Sequence, residues 1–207
     1  IVTGDGSTGS LIVNHKDINK IAFTGSTQVG KLIQKSLAGR EVGLTLELGG
    51  KAANIVYEDA AIDQAVEGVV NGIFFNQGHV CCAGSRLLLQ ESIHDQFISK
   101  LEKRMQSLRV GNPLDKNTDI GAINSKEQLD KITNLVNEGL EDGGELFQTQ
   151  CDLPGNGFWF RPTLFTNVQP SYSIAREEIF GPVLTTLTFR TPEEAVEIAN
   201  NTEYGLS

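Results

Sequence analysis

Phe74-Phe75-Asn76-Gln77-Gly78-His79-Val80-Cys81-Cys82-Ala83-Gly84-Ser85-Arg86 is the stretch around which this 207-residue chain is organised. Upstream of it Ile62, Ala65, Val66, Val69, Val70 and Ile73 keep helical spacing, which predicts a buried helix from Ala61 to Phe75. Downstream, Arg86 to Leu89 is a short apolar run that predicts a strand. Between the two, the polar turn Asn76-Gln77-Gly78 delivers two neighbouring cysteines to a segment of small residues at the edge of a core. A thiol presented there can ionise and be reached, as a nucleophile must. The same pair also fits two small buried hydrophobes, the usual state of a free cysteine.

Toward the amino terminus, strands are predicted at Ala53 to Tyr57 and at Val42 to Leu48, the second carrying Glu47 near its end and breaking at Gly49-Gly50. An ionisable group at the carboxyl end of a strand lies where open α/β sheets place their sites. A solvated glutamate is the other reading, since exposure is the default for that residue. Further back, the predicted strand Lys20 to Phe23 runs into Thr24-Gly25-Ser26-Thr27-Gln28-Val29-Gly30, and Val29, Leu32, Ile33 and Leu37 then line one helical face. Strand, glycine turn and helix together aim backbone N–H groups and the positive end of a dipole at an anion, with Gly25 and Ser26 at the helix start. Ser26 in that place is also an ordinary helix cap. The chain begins with a glycine-rich segment, Gly4 to Ser10, and an apolar patch, Leu11 to Val13.

Toward the carboxyl terminus, Ile93, Phe97, Ile98, Leu101 and Met105 mark an amphipathic helix, and Asn112-Pro113 marks a loop. A helix is predicted from Ser125 to about Leu140, closed by Gly143-Gly144. A polar loop from Cys151 to Gly157 precedes a strand-like run, Phe158 to Phe165, and a further strand is predicted at Val183 to Phe189. Thr191-Pro192-Glu193-Glu194 is a helix start, with a capping Thr, a Pro in the first turn and acids beside the dipole. Strands alternating with helices, without repeats or low-complexity tracts, predict an α/β layer architecture.

The composition, 39% hydrophobic and 21% charged, is that of a globular chain. A net charge of -9 leaves no concentrated basic surface for nucleic acid or an anionic membrane. No segment approaches the roughly 20 apolar residues of a membrane span. Three cysteines cannot build a disulfide framework, so a reducing compartment, the cytoplasm, is expected. The opening on Ile1-Val2 and the abrupt end at Gly205-Leu206-Ser207 suggest a piece of a longer protein.

Four segments, FTGSTQVG (Phe23 to Gly30), LELGGK (Leu46 to Lys51), FFNQGHVCCAGSR and EEIFGPV (Glu177 to Val183), occur in the order and at about the intervals of the aldehyde dehydrogenase superfamily, and the resemblance covers essentially the whole chain. It implies the end of a Rossmann-type cofactor domain over residues 1–49 and an α/β catalytic domain, truncated at its carboxyl end, over residues 50–207. It implies NAD(P)-dependent oxidation of an aldehyde to a carboxylic acid, with NAD against NADP undecided, no metal, and a homo-oligomeric full-length parent. By matching position, Cys81 is the nucleophile with Cys82 a bystander, and Glu47 is the base that activates water. Gly25, Ser26 and Gly30 match the pyrophosphate-binding helix start, and Leu48 matches a backbone contact to the nicotinamide amide. Glu178 matches the carboxylate holding the nicotinamide ribose, with Phe180 beside it. Gln128 and Lys131 match positions reaching the adenosine ribose, and Leu206 lies near the substrate mouth. Glu47 argues against the acyl-CoA-forming branch, which generally lacks that base. His79 departs from the family's usual Gln or Glu, and is expected to face away from the thiol. The isolated fragment is expected to bind cofactor poorly and to be inactive. A silent scaffold subunit, or a cysteine hydrolase without a redox step that uses Cys81 and His79, are the alternatives.

Overall fold

The computed structural model describes residues 1–207, which divide into two compact units, Ile1–Gly49 and Gly50–Ser207. In the first unit, α1 (Gly6–Asn14) and β1 (Lys20–Thr24) are followed by α2 (Thr27–Leu37) and β2 (Gly43–Glu47). The two strands pair in parallel, Ile21 opposite Leu44 and Thr24 opposite Glu47. Ile21, Ile33 and Leu37 form the small core. The glycine-rich opening, where apolar periodicity signals no helix, is helical because Asp5 caps it, its carboxylate accepting from the Ser7 N–H at 2.9 Å. Arg40 holds the end of that helix, donating to the Val13 and His15 carbonyls at 2.8 and 2.9 Å.

The second unit is a five-stranded sheet in the order β3-β4-β7-β6-β5. Its elements are β3 (Ala53–Val56), α3 (Ile62–Phe74), β4 (Arg86–Gln90), α4 (His94–Met105), α5 (Lys126–Glu141), β5 (Glu145–Gln148), β6 (Thr163–Thr166), α6 (Ser173–Arg176), β7 (Val183–Phe189) and α7 (Pro192–Asn200). All neighbours run parallel except β5, which is antiparallel to β6. Alternation along the strands sends Leu87, Leu89, Leu164 and Leu184 to one face, against Val66, Val69, Val70 and Ile73 of α3 and Phe97, Leu101 and Met105 of α4. The opposite parity sends Phe165 and Val183 to α5 and α6, and Leu88, Leu187 and Phe189 to Ala195 of α7. A sheet covered on both faces explains why β4 reads as an unbroken Leu87-Leu88-Leu89 run with each residue fully buried.

The strand expected over Phe158 to Phe165 is shorter and shifted, beginning only at Thr163. Pro162 has no N–H to give a ladder, so pairing starts after it. The stretch before it is spent otherwise, the Trp159 indole donating to the Asn156 carbonyl at 2.7 Å and the Phe158 carbonyl accepting from Ile123 at 2.8 Å. Strand β5 and helix α6 carry no periodic signal of their own. The sheet's order decides where the motif segments go. Gly50-Lys51, Cys81 to Ser85 and Glu178 to Pro182 each immediately precede a strand, β3, β4 and β7, and these three strands are parallel neighbours. All three segments therefore meet at the amino edge of the sheet, opposite to the edge where open α/β sheets usually hold ligands.

Candidate active site

The turn after α3 is wound into an unusual shape. Asn76, Gln77 and Gly78 all have positive φ, at 49°, 47° and 75°. Asn tolerates this region, Gln does so at a cost, and Gly freely. The turn is closed by His79 N–H donating to the Asn76 carbonyl at 2.9 Å and by the Asn76 side chain donating to the His79 carbonyl at 3.1 Å. Gly78 is required by more than its φ, since a Cβ there would lie 2.1 Å from the Gly181 carbonyl oxygen. This close approach seats the turn directly on the loop that precedes β7.

The turn sets Cys81 half-buried and Cys82 exposed, both as free thiols. The N–H of Cys81 donates to no group within the chain, whereas Ala83 N–H is used on the Val80 carbonyl at 3.0 Å. Gly50 fills the space behind: a Cβ on it would meet the Cys81 carbonyl oxygen at 2.4 Å and the Leu206 carbonyl oxygen at 2.7 Å. Gly50 also bridges to Leu206, and its N–H donates to Glu178 Oε1 at 3.0 Å. One glycine thus touches the Cys81 segment, Leu206 and the Glu178 carboxylate.

Glu178 is half-buried, its own N–H donating to the Tyr204 hydroxyl at 3.3 Å. Burial pushes the Tyr204 phenol up from its ordinary value, with the Glu178 backbone contact opposing. Phe180 has φ of 55°, and Gln128 Nε2 donates to the carbonyls of Ile179 at 2.8 Å and Phe180 at 3.0 Å. Gln128 is therefore a brace for the loop of Glu178 and Phe180, while Lys131 stands exposed one turn further along α5. His79 stacks on Phe180 with ring centroids 5.2 Å apart and planes at 8°. Its Nε2 accepts from Asn124 N–H at 3.3 Å, and its Nδ1 is buried without a partner. Neither ring nitrogen bonds the Cys81 sulfur, so His79 is not placed as a thiol base. Burial holds this imidazole below its usual range, against a weaker opposing contribution from the Phe180 carbonyl.

In the first unit Ser26 caps α2, its hydroxyl accepting from Val29 N–H at 3.3 Å. Gly25 N–H is taken by the Glu47 carbonyl at 3.0 Å, and a Cβ on Gly25 would lie 2.5 Å from the Phe23 ring. The glycine there is thus explained by packing, and the N–H groups left for an anion at the start of α2 are those of Thr27 and Gln28. Gly30 makes room for Leu48, whose Cδ2 would be 2.6 Å from a Cβ at that position. Glu47 ends β2 with an exposed side chain.

Residues 1–207 match the Aldehyde dehydrogenase family throughout. The chain belongs to that family. Among its relatives in the aldehyde dehydrogenase family, an aldehyde dehydrogenase of Emericella nidulans is 46% identical over all of this chain and 42% of its own length. Retinal dehydrogenase 2 of Taeniopygia guttata is 48% identical over 96% of this chain and 38% of its own. The chain spans about two-fifths of the length of these curated relatives. The NAD-dependent aldehyde dehydrogenase of Sinorhizobium meliloti superposes with a TM-score of 0.94 at 41% identity, covering 99% of this chain and 41% of that one. An NAD+ complex of the Bacillus cereus aldehyde dehydrogenase gives 0.93 at 39% identity, covering 98% and 41%.

Reading the residues alone passed over two buried cations beside these segments. Lys51, the last residue of the LELGGK segment, is only 1% exposed, and its Nζ donates to the Ile174 carbonyl at 3.0 Å. Burial pushes it down to about 7, Arg86 adds to that shift, and Glu178 and Glu177 oppose it. Arg86 is also buried, donating to the carbonyls of Lys51 at 2.7 Å, Ile198 at 3.0 Å and Ala199 at 2.7 Å. A cation flanking a glycine turn reads as solvated, and only the sheet order shows that both are enclosed.

Proposed function

We propose that the protein carrying this chain oxidises an aldehyde to the corresponding carboxylic acid, with NAD or NADP as the hydride acceptor and an acyl thioester on Cys81. Residues 1–49 are assigned to the end of the cofactor domain and residues 50–207 to the catalytic domain. The observation that carries this reading is the gathering of Cys81, Gly50 and Glu178 at the amino edge of β3, β4 and β7. It is supported by membership of a family whose solved members include an NAD+ complex.

The residues present fit a nicotinamide dinucleotide. Glu178 has one carboxylate oxygen fixed by Gly50 N–H, and the other is suited to accept from a ribose hydroxyl. Phe180 offers an apolar plate beside it, and Gly25, Ser26 and Gly30 belong to the helix start suited to pyrophosphate, with Leu48 beside it for the nicotinamide amide. Gln128 serves this cofactor by bracing the Phe180 loop, and Lys131 is the exposed cation next to it. When bound, the cofactor supplies the acceptor for the hydride lost by the aldehyde carbon.

The chain's own part begins with the Cys81 thiolate, which adds to the carbonyl carbon to give a tetrahedral adduct. The oxyanion so formed needs donors, and the unengaged Cys81 N–H is one. Loss of hydride leaves the acyl group on Sγ as a thioester. Glu47, as carboxylate, then takes a proton from the water that attacks the thioester, releasing the acid and the thiolate. His79 has no part in proton transfer, so the hydrolase reading has no supporting contact. Three free thiols suit the cytoplasm, and a homo-oligomer remains part of this reading.

The test uses the full-length protein and its Cys81→Ala variant with a panel of aldehydes and both cofactors, following reduced-cofactor absorbance. Wild type is expected to reduce one of them, and the variant to lose at least about a thousandfold in turnover. A variant as active as wild type would remove Cys81 from its role.

A further inference from the structure

His79 takes no step in the proposed chemistry, yet nothing about its placement is loose. Its backbone is fixed to Asn76 by two hydrogen bonds, at 2.9 and 3.1 Å. Its ring lies parallel to Phe180, with planes 8° apart, and leaves Nδ1 buried and unpaired. Nε2 accepts from Asn124 N–H at 3.3 Å, and Nδ1, beside the Phe180 carbonyl, makes no well-formed bond, so the orientation is one that satisfies Asn124 and keeps the two faces together. Phe180 in turn holds a left-handed φ of 55°, a conformation that a bulky residue keeps only when its surroundings enforce it. Two groups do so: Gln128 takes its carbonyl oxygen, and the His79 ring takes its face. The contact continues one residue along, where Gly78 abuts the Gly181 carbonyl.

We propose that His79 is a positioning residue whose imidazole face clamps Phe180, and with it the Glu178 carboxylate two residues away, to the turn that carries Cys81. In this chain the nucleophile segment and the ribose-holding loop are thereby made one rigid piece. The kinetic readout rests on the dehydrogenase reading above, while the clamp itself is read independently by hydrogen exchange.

The experiment compares full-length wild type with His79→Ala, His79→Phe and His79→Gln, measuring steady-state kinetics with whichever of NAD and NADP wild type reduces, and amide exchange without cofactor. For His79→Ala the KM for cofactor is expected to rise about five- to tenfold with kcat within about twofold, since the binding lost is common to the ground and transition states. His79→Phe, which keeps a flat face, is expected to restore KM to near wild type, and His79→Gln, which keeps only an acceptor for Asn124, is not. The amides of residues 178–181 are expected to exchange faster in the Ala variant and normally in the Phe variant. An unchanged KM for His79→Ala, a fall in kcat alone, or rescue by Gln rather than Phe would each overturn the clamp. If wild type neither binds nor reduces either cofactor, the dehydrogenase reading fails and exchange alone decides: protection lost in Ala and regained in Phe keeps the clamp, and equal exchange in all three removes it.

Discussion

Lys51 places an ammonium where water does not reach, held by a single carbonyl, and its acidity shows the cost. Its ordinary value of 10.5 is brought to about 7, chiefly by burial. Between those two values the unfolded chain keeps a proton that the folded unit has released. Stability therefore rises with pH across that window and is lowest below it. The shift corresponds to roughly 3 to 5 kcal/mol over the full window. Denaturant titrations of the full-length protein near neutral pH and near pH 10 are expected to show this rise, and Lys51→Met is expected to flatten it. A wild-type protein equally stable at both values would contradict the assignment. Lys51 also shows what residue-level reading misses. Cys81 was legible from its own surroundings and Glu178 and Phe180 from the family resemblance, whereas a lysine after two glycines announces solvent. His79 was legible only as a departure, and what it does depends on Phe180, which follows it by about a hundred residues.

Elements were read best where one signal sufficed. Strand β7 and helix α7 fall where alternation, Thr191 and Pro192 place them, because the cap and its Glu194 N–H bond at 3.3 Å are local. Helices α3, α4 and α5 follow their apolar stripes to within a residue or so. Strand β6 was misjudged because Pro162 interrupts an otherwise strand-like run, and β5 was missed because Glu145-Leu146-Phe147-Gln148 owes its conformation to its neighbour β6. Arg86 joins elements that lie far apart in sequence, linking the start of β4 to Lys51 before β3 and to the carbonyls at the end of α7. Replacing it by Met leaves three carbonyl oxygens without their donor. Arg86→Met is expected to destabilise by about 3 kcal/mol, read as a lower denaturation midpoint, and Arg86→Lys to recover only part because an ammonium lacks the planar fork. A midpoint within the error of wild type for Arg86→Met would show the three bonds to be idle.

At the scale of the molecule, the α/β architecture was legible from alternation, and the family from four motifs in register. What no linear reading contained was the sheet order. Placing β7 beside β4 takes residues about a hundred positions apart and sets both at one edge, and that adjacency brings Cys81, Gly50 and Glu178 together. In the proposed function Cys81 is acylated and Glu47 serves to release the acyl group. The most direct test is rapid mixing of full-length Glu47→Gln with aldehyde and cofactor, followed by peptide mass analysis. A stoichiometric burst of reduced cofactor, steady turnover lowered by about a hundredfold or more, and an acyl adduct on Cys81 are expected. Wild-type turnover in Glu47→Gln, or an acyl adduct on Cys82 with Cys81 unmodified, would contradict the proposed function.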